Sequence, residues 1–513
     1  MKKRTLFQHP DLHVRLAHRW EFSMKDILIF MSDQHSPLFS GWGSERVDTP
    51  NLMRLRSEGT SFDAAYTSCP LCVPARMSML SGLLPGKTGV FTNNDTLSSQ
   101  IPCFTHALAA AGYETVLIGR MHFVGPDQRH GFTKRLASDM TPTGWNRPVE
   151  QLKKERGDFA RTFGEPWCTE VVGAGESPVL HYDDQIVETA LEYLSQEHEK
   201  PQFIIVGTYG PHFPYVAPED LYLKYLDRAE TPKFFNNIPD YMQDFELLKK
   251  RRNQEVDENT VKGVYAAYCG MIERMDSQIG QVREAFLSYT QKKKNGHIFG
   301  YLSDHGDQAG ERRIFGKQTF FEKAVKIPMI FEGTGIKAGK EVLSPVSIMD
   351  LGPTLCELAE TAFCEEADGK SMKKLLTENG CEDFERIIIS QFTDTYKEKN
   401  HYGIMLRYRD YKFISYHGYE SFDLLFDLKN DPEETVNLID SLPKQKEWFR
   451  NIAAQYGNPE EIELEQYRRT RNLNWFRYYE KTTGWEETER WTDNPPSARG
   501  DLKITANHKI KRQ

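Results

Sequence analysis

Four stretches of the sequence place metal-ligand or acid/base side chains at or soon after the end of a short apolar run. They are Ser32-Asp33-Gln34-His35, Gly119-Arg120-Met121-His122, Gly210-Pro211-His212-Phe213-Pro214 and Ser303-Asp304-His305-Gly306-Asp307. Asp33 and Asp304 offer hard carboxylate oxygens, Gln34 an amide oxygen and His305 an imidazole. That set suits Ca²⁺ or Mg²⁺, with Mn²⁺ admitted by the imidazole. A fifth stretch, Cys69 to Gly82, spaces Cys72, Pro74 and Arg76 two apart and ends in Ser81-Gly82. Each feature alone has an ordinary reading: an Asp after a strand caps a helix, a single His is structural, a Cys at a helix start is inert. Their convergence is what points to chemistry.

Convergence needs a scaffold, and the apolar runs supply one. Residues 26–31, 115–118, 203–206 and 297–302 read as buried strands, with helical patterns between them. Among these, Val261, Tyr265, Tyr268, Ile272, Met275, Ile279, Val282 and Phe286 recur in steps of three and four, the stripe of an amphipathic helix. Strands alternating with helices predict an α/β fold: a large, mostly parallel mixed sheet sandwiched by helices, with ligands beyond the C-terminal strand ends. From about 385 the runs shorten (387–390, 403–406, 412–415, 423–428), which predicts a smaller C-terminal α+β subdomain with a short antiparallel sheet and a helix near 443–456. The expected organisation is an N-terminal extension over 1–23, a catalytic domain over 24–384, the subdomain over 385–456 and a tail over 457–513. The tail is charged and aromatic with little periodicity, and it is expected to pack on the body or on a neighbouring subunit.

The 513 residues are 39% hydrophobic and 27% charged, which excludes disordered, collagenous and disulfide-stapled classes. A net charge of −9 with scattered Lys and Arg predicts no nucleic-acid partner. No apolar run approaches the roughly 18 residues of a membrane span, and the polar start carries no export signal, so no membrane partner is expected. Eight cysteines without paired zinc-type spacing favour a reducing, cytoplasmic setting. Met24, directly before the first apolar run, is the expected natural start.

Cys72-x-Pro74-x-Arg76 followed by Ser81-Gly82, with Asp48-Thr49-Pro50-Asn51-Leu52 upstream, resembles the signature of type I sulfatases of the alkaline phosphatase superfamily. The resemblance covers about residues 25–440 and ends in Asp427-Leu428-Lys429-Asn430-Asp431-Pro432 and Asn437-Leu438, similar to the family's C-terminal-subdomain motif. It implies that Cys72 is oxidised to formylglycine by a formylglycine-generating enzyme, that its hydrate is the nucleophile, and that residue 72 completes the shell of one divalent cation with Asp33, Gln34, Asp304 and His305. It also implies His212 as the acid for the leaving oxygen, His122 as a base for the hydrate, and Lys317 in Gly316-Lys317-Gln318-Thr319 as a grip on a sulfate oxygen. Arg76 would anchor the hydrate through its rigid fork. Sulfate esters need such a set: an oxygen nucleophile, a dication, cationic donors and an acid.

Three positions depart from the family's usual pattern. Gln34 stands where many members have Asp, and His305 where many have Asn; both look like the choline-sulfatase and phosphonate-hydrolase branches. Arg120 stands where Lys is usual, which keeps charge and changes geometry. The run Met121 to Phe132 looks most like choline sulfatases, a branch of cytoplasmic oligomers, and together with the aromatic tail it implies a homo-oligomer. The expected substrate is a small alkyl ester resembling choline-O-sulfate, or a carbohydrate O-sulfate. For choline, Trp145 is similar to a tryptophan of that branch and would face the quaternary ammonium; otherwise it is a packed loop aromatic. The rival readings are a phosphonate monoester or phosphodiester hydrolase with the same nucleophile, and a non-catalytic binder of sulfated ligands.

Overall fold

Ile27 through Met31 are fully buried, and the strand they form, β1 (Asp26–Asp33), lies inside an eight-stranded sheet. The computed structural model describes residues 24–141, 167–378, 380–484 and the backbone of 503–508. The other strands of this sheet are β2 (Thr60–Phe62), β3 (Glu114–Gly119), β4 (Lys134–Ala137), β5 (Gln202–Pro211), β6 (His297–Ser303), β7 (Met329–Gly333) and β8 (Lys340–Val342). Their spatial order is β8-β2-β7-β6-β1-β5-β3-β4, and β7 alone runs against the rest. The four apolar runs of the sequence are thus the parallel neighbours β6-β1-β5-β3, with Ile29 level with Gly300 and Ile205. Their C-terminal ends, and the side chains that follow them, reach one edge of the sheet.

Alternation along β1 divides the core in two. Ile27, Ile29 and Met31 join a layer with Val73, Met77 and Leu355, while Leu28 and Phe30 join a layer with Ile186, Ile272 and Phe286. The first layer includes helix α1 (Cys72–Ser81), the second α2 (Pro178–Ser195) and the long α3 (Glu258–Lys293). The predicted stripe from Val261 to Phe286 is the buried face of α3, except that Tyr265 is only partly covered. Asp257 caps this helix by accepting from the Thr260 N–H at 2.7 Å.

The C-terminal sheet is antiparallel in sequence order: β9 (Ile388–Tyr396), β10 (Lys399–Tyr408), β11 (Tyr411–Tyr416) and β12 (Leu424–Asp427). Helix α4 (Pro443–Ala453) lays Phe449 on Phe413, with ring centroids 5.4 Å apart. Lys412 of β11 is fully buried and ion-paired to Glu322 at 2.9 Å and Glu434 at 2.5 Å, tying this sheet to the main body. The tail forms a further helix, α5 (Pro459–Thr483), whose apolar residues point all round; this is why it carries no periodic signature in the sequence. Its first turns bury Ile462 and Gln466, and Arg469 donates to the Gly89 carbonyl, whereas Trp475, Phe476, Tyr478 and Tyr479 are exposed. The strand 503–508 pairs antiparallel with 172–176. Among the described residues no helix is long and apolar enough to cross a membrane.

Replacing Lys412 by Met leaves two buried carboxylates without their shared cation. The expected loss is about 3–5 kcal/mol of unfolding free energy, read from the urea midpoint; a change below about 1 kcal/mol would show that the pair does not join the two sheets.

Candidate active site

Helix α1 starts at Cys72 and is buried along its whole length, so its first residue is presented at the C-terminal edge of the sheet. The Cys72 Sγ lies 3.2 Å from His305 Nε2 and 3.6 Å from Asp33 Oδ1. One ligand atom from each of Asp33, Cys72, Asp304 and His305 falls within 4.8 Å of all the others. The His305 Nδ1 meets the Gly306 carbonyl at 3.1 Å, and a carbonyl can only accept, so Nδ1 carries the proton and Nε2 turns its lone pair to the cluster. Two carboxylates and an imidazole held in the metal-binding tautomer fit a divalent cation. Gln34 stands next to this set: its Oε1 accepts from the Lys317 Nζ at 2.5 Å and keeps a second lone pair, and its Nε2 donates to Asp307 at 2.6 Å.

Two guanidinium groups bind the carboxylates. Arg76 donates through Nη2 to Asp33 at 3.0 Å and through Nε to Asp304 at 2.8 Å. Arg120 donates from Nε to Asp33 at 2.6 Å, from Nη1 to Asp139 and Thr141 at 3.0 Å each, and from Nη2 to His122 Nδ1 at 2.9 Å, while its guanidinium lies 4.2 Å from the Tyr209 ring centroid. Burial pushes the Asp33 carboxyl up, and Arg120 and then Arg76 more than reverse this, holding it well below its usual range. For Cys72 burial and then Asp33 act in the same direction, pushing the thiol up to about 12.

The two histidines outside the cation cluster are also depressed, His122 by burial and then Arg120, His212 by burial and then Lys317. Their tautomers follow from their partners. Arg120 can only donate, so His122 accepts at Nδ1 and carries its proton on Nε2. For His212 the order is reversed: Nδ1 donates to the Phe213 carbonyl at 2.8 Å, and Nε2 accepts from the Lys317 Nζ at 2.6 Å.

The backbone is shaped to this end. Arg120 N–H donates to the Gly207 carbonyl at 2.8 Å, and a Cβ at Gly207 would stand 2.0 Å from the Arg120 carbonyl oxygen, so glycine is required where these strands meet. Gln34 (φ 71°) and His122 (φ 58°) adopt the left-handed region that non-glycine residues seldom enter, as residues at functional turns often do.

All the residues singled out in the sequence come together here except Trp145, which lies outside the described residues. Sequence reasoning missed Asp139 and Thr141, which orient Arg120, and Asp307, which accepts from Gln34, from Tyr215 at 2.8 Å and from two backbone N–H groups. Asp307 had a signal, its place in Asp304-His305-Gly306-Asp307; Asp139 had none. Asn93 was missed too: its Oδ1 accepts from the Val73 N–H at 3.0 Å, on the first turn of α1. So was Asp183, buried on α2, which accepts from the Tyr209 and Gly210 N–H groups at 2.6 and 2.8 Å just ahead of His212.

The sulfatase family model matches residues 26–361, and that of the N-sulphoglucosamine sulphohydrolase C-terminal region matches 310–458. The chain belongs to the sulfatase family, hydrolases of sulfate esters that generally use formylglycine and a divalent metal. It is similar to choline-sulfatase of Rhizobium meliloti (strain 1021), 33% identical over 438 residues that span 81% of this chain and 82% of that protein. Among solved structures it shares its fold with a putative sulfatase from Bacteroides thetaiotaomicron (TM-score 0.65, 24% identity, 85% and 92% of the two chains). It shares it also with the phosphonate monoester hydrolase of Agrobacterium radiobacter (TM-score 0.67, 20% identity, 84% and 96%).

Arg120→Lys keeps the charge and loses the fork that spans four partners. An aryl sulfatase assay is expected to show kcat/KM reduced on the order of a hundredfold; an unchanged value would mean that a point charge suffices. A second expectation concerns pH. Burial raises the Asp183 carboxyl to about 7 despite its two N–H donors. A raised folded value means stability present below the unfolded value of about 4 and lost as pH rises through about 7. The stability difference between wild type and Asp183→Asn should therefore shrink from pH 4 to 7; a difference flat across that window contradicts the assignment.

Proposed function

We propose that the chain cleaves a sulfate ester with residue 72 as nucleophile after its oxidation to formylglycine, beside a divalent cation held by Asp33, Gln34, residue 72, Asp304 and His305. The observation that carries this reading is the position of the Cys72 Sγ, between His305 Nε2 and Asp33 Oδ1 at the start of a buried helix. When present, the cation neutralises the sulfuryl oxygens and the hydrated aldehyde supplies the attacking oxygen. The chain's own side chains do the rest. Arg76 and Arg120 fix Asp33. Lys317 binds a sulfate oxygen and so frees the His212 Nε2; a proton taken up there from solvent, with Nδ1–H still on the Phe213 carbonyl, makes His212 the acid for the leaving oxygen. His122 carries its proton on Nε2, so acting as a base uses the Nδ1 lone pair and requires it to give up its bond from Arg120.

Calcium is the favoured cation on the carboxylate content, with magnesium or manganese as the other fits. A small alkyl ester is supported by the choline-sulfatase relative and a carbohydrate ester by the sulfatase family at large. A second reading, hydrolysis of phosphonate monoesters or phosphodiesters, is favoured by the shared fold with phosphonate monoester hydrolase.

The test uses protein co-expressed with a formylglycine-generating enzyme, with conversion of residue 72 checked by mass spectrometry. Expected outcomes are loss of all turnover in Cys72→Ala and after chelation, recovery of the chelated wild type on adding Ca²⁺, and a kcat/KM for a sulfate at least a hundredfold, about 2.7 kcal/mol, above that for an aryl phosphonate. A reversed preference reassigns the same residues to phosphoryl transfer. Sulfate esters that bind to unconverted Cys72 protein from its native host without turnover indicate a binding protein.

A further inference from the structure

Beside Cys72 a cavity of about 740 Å³ opens between the main body and the C-terminal sheet. Leu71, next to the nucleophile, and Phe315 and Gln318, on either side of Lys317, form one part of its wall; Arg251, Arg252 and Asp394 form another. The volume is of the size that holds a saccharide and far exceeds the needs of a choline group. Its cations are unequally satisfied. Lys250 and Arg251 both pair with the Asp394 carboxylate, and Arg251 also donates to the Gln318 side chain. The Arg252 guanidinium has neither an ion-pair nor a hydrogen-bond partner among the described residues, and its Nε is buried. Glu170 and Glu255 also border the cavity, and neither is in ion-pair contact with Arg252. Burial alone lowers the pKa of Arg252, with no carboxylate to offset it. A half-buried cation without an anion is costly unless a ligand supplies one.

We propose that this cavity receives a second anionic group, a carboxylate or a further sulfate on the alcohol half of the ester, and that Arg252 binds it. The substrate class is then an acidic sulfated saccharide, and a quaternary ammonium ester is disfavoured by the same guanidinium. The inference rests on the sulfatase reading of Cys72 and names its substrate.

The experiment compares four probes on formylglycine-converted full-length protein: N-acetylglucosamine 6-sulfate, glucosamine 2-N,6-O-disulfate, a 6-sulfated glucosamine linked to a uronate, and choline-O-sulfate. One or both acidic sugars should exceed the neutral sugar at least tenfold in kcat/KM, about 1.4 kcal/mol, and the arm that wins tells sulfate from carboxylate. Arg252→Gln should raise KM for that probe about tenfold, leave its kcat and both constants for the neutral sugar unchanged, and keep the wild-type Tm. Equal losses on all four probes, or choline-O-sulfate as the preferred wild-type substrate, overturn the proposal. Calorimetric binding of the sugars to Cys72→Ala, with and without Arg252→Gln, separates the two readings. Acidic selectivity that depends on Arg252 in binding, without turnover by the converted enzyme, sinks the hydrolase and keeps the subsite; turnover without that selectivity does the reverse.

Discussion

The Asp33 carboxylate, with no solvent exposure and a guanidinium on each of two sides, is the interaction on which the rest of this structure depends. A buried carboxylate costs several kcal/mol unless other groups replace its hydration. Here Arg76 and Arg120 do so, and each is itself buried and held by further carboxylates, Asp304 and Asp139. Adding Lys317 and Asp307, four buried carboxylates face three fixed cations. The polypeptide alone leaves one negative charge over. A divalent cation held there would turn that into one positive charge, the complement of a sulfate monoester anion.

Such a cluster can exist only where the backbone is rigid. The C-terminal ends of β6, β1, β5 and β3 lie side by side, and each contributes at least one charged or titratable side chain within two residues of its end. The loops that follow are locked individually: β1 leads into left-handed Gln34, β3 into Arg120 against Gly207, and β5 into a turn held by Asp183. Positions are therefore set by strand register, and the loops only aim the side chains, which is how a parallel sheet carries sites on its carboxyl edge.

That arrangement also explains what could be read from the sequence. Asp33, His122, His212 and Asp304 were legible because each follows a strand whose apolar run is itself the signal, and a parallel sheet makes separate strand ends neighbours. Asp139 and Asn93 were not legible. They act on Arg120 and on the first turn of α1 from loops with no periodic pattern, and only the folded distances show it. Helix α3 was legible through its stripe. Helix α5 was not, because no single face of it is apolar; its first turns are held by Ile462, Gln466 and Arg469 at scattered points, and such contacts leave no period behind. Arg252 is a different case again. Lys249 to Arg252 reads as a run of surface charge, and only the folded contacts show that Arg252 is left without a side-chain partner among the described residues.

Arg120 illustrates why one substitution within a motif has consequences beyond its own position. A lysine is a single point of charge, whereas this arginine bonds Asp33, Asp139, Thr141 and His122 at once. Its bond to His122 decides which ring nitrogen holds the proton, and so decides that His122 presents a donor to the site. His212 is fixed in the opposite tautomer by the Phe213 carbonyl and presents an acceptor that Lys317 occupies. The two histidines therefore have distinct starting states imposed by their neighbours. Loss of the Lys317 bond would change the partner of His212 and leave that of His122 in place, so the hydrogen bonds around the two imidazoles set their protonation sites independently.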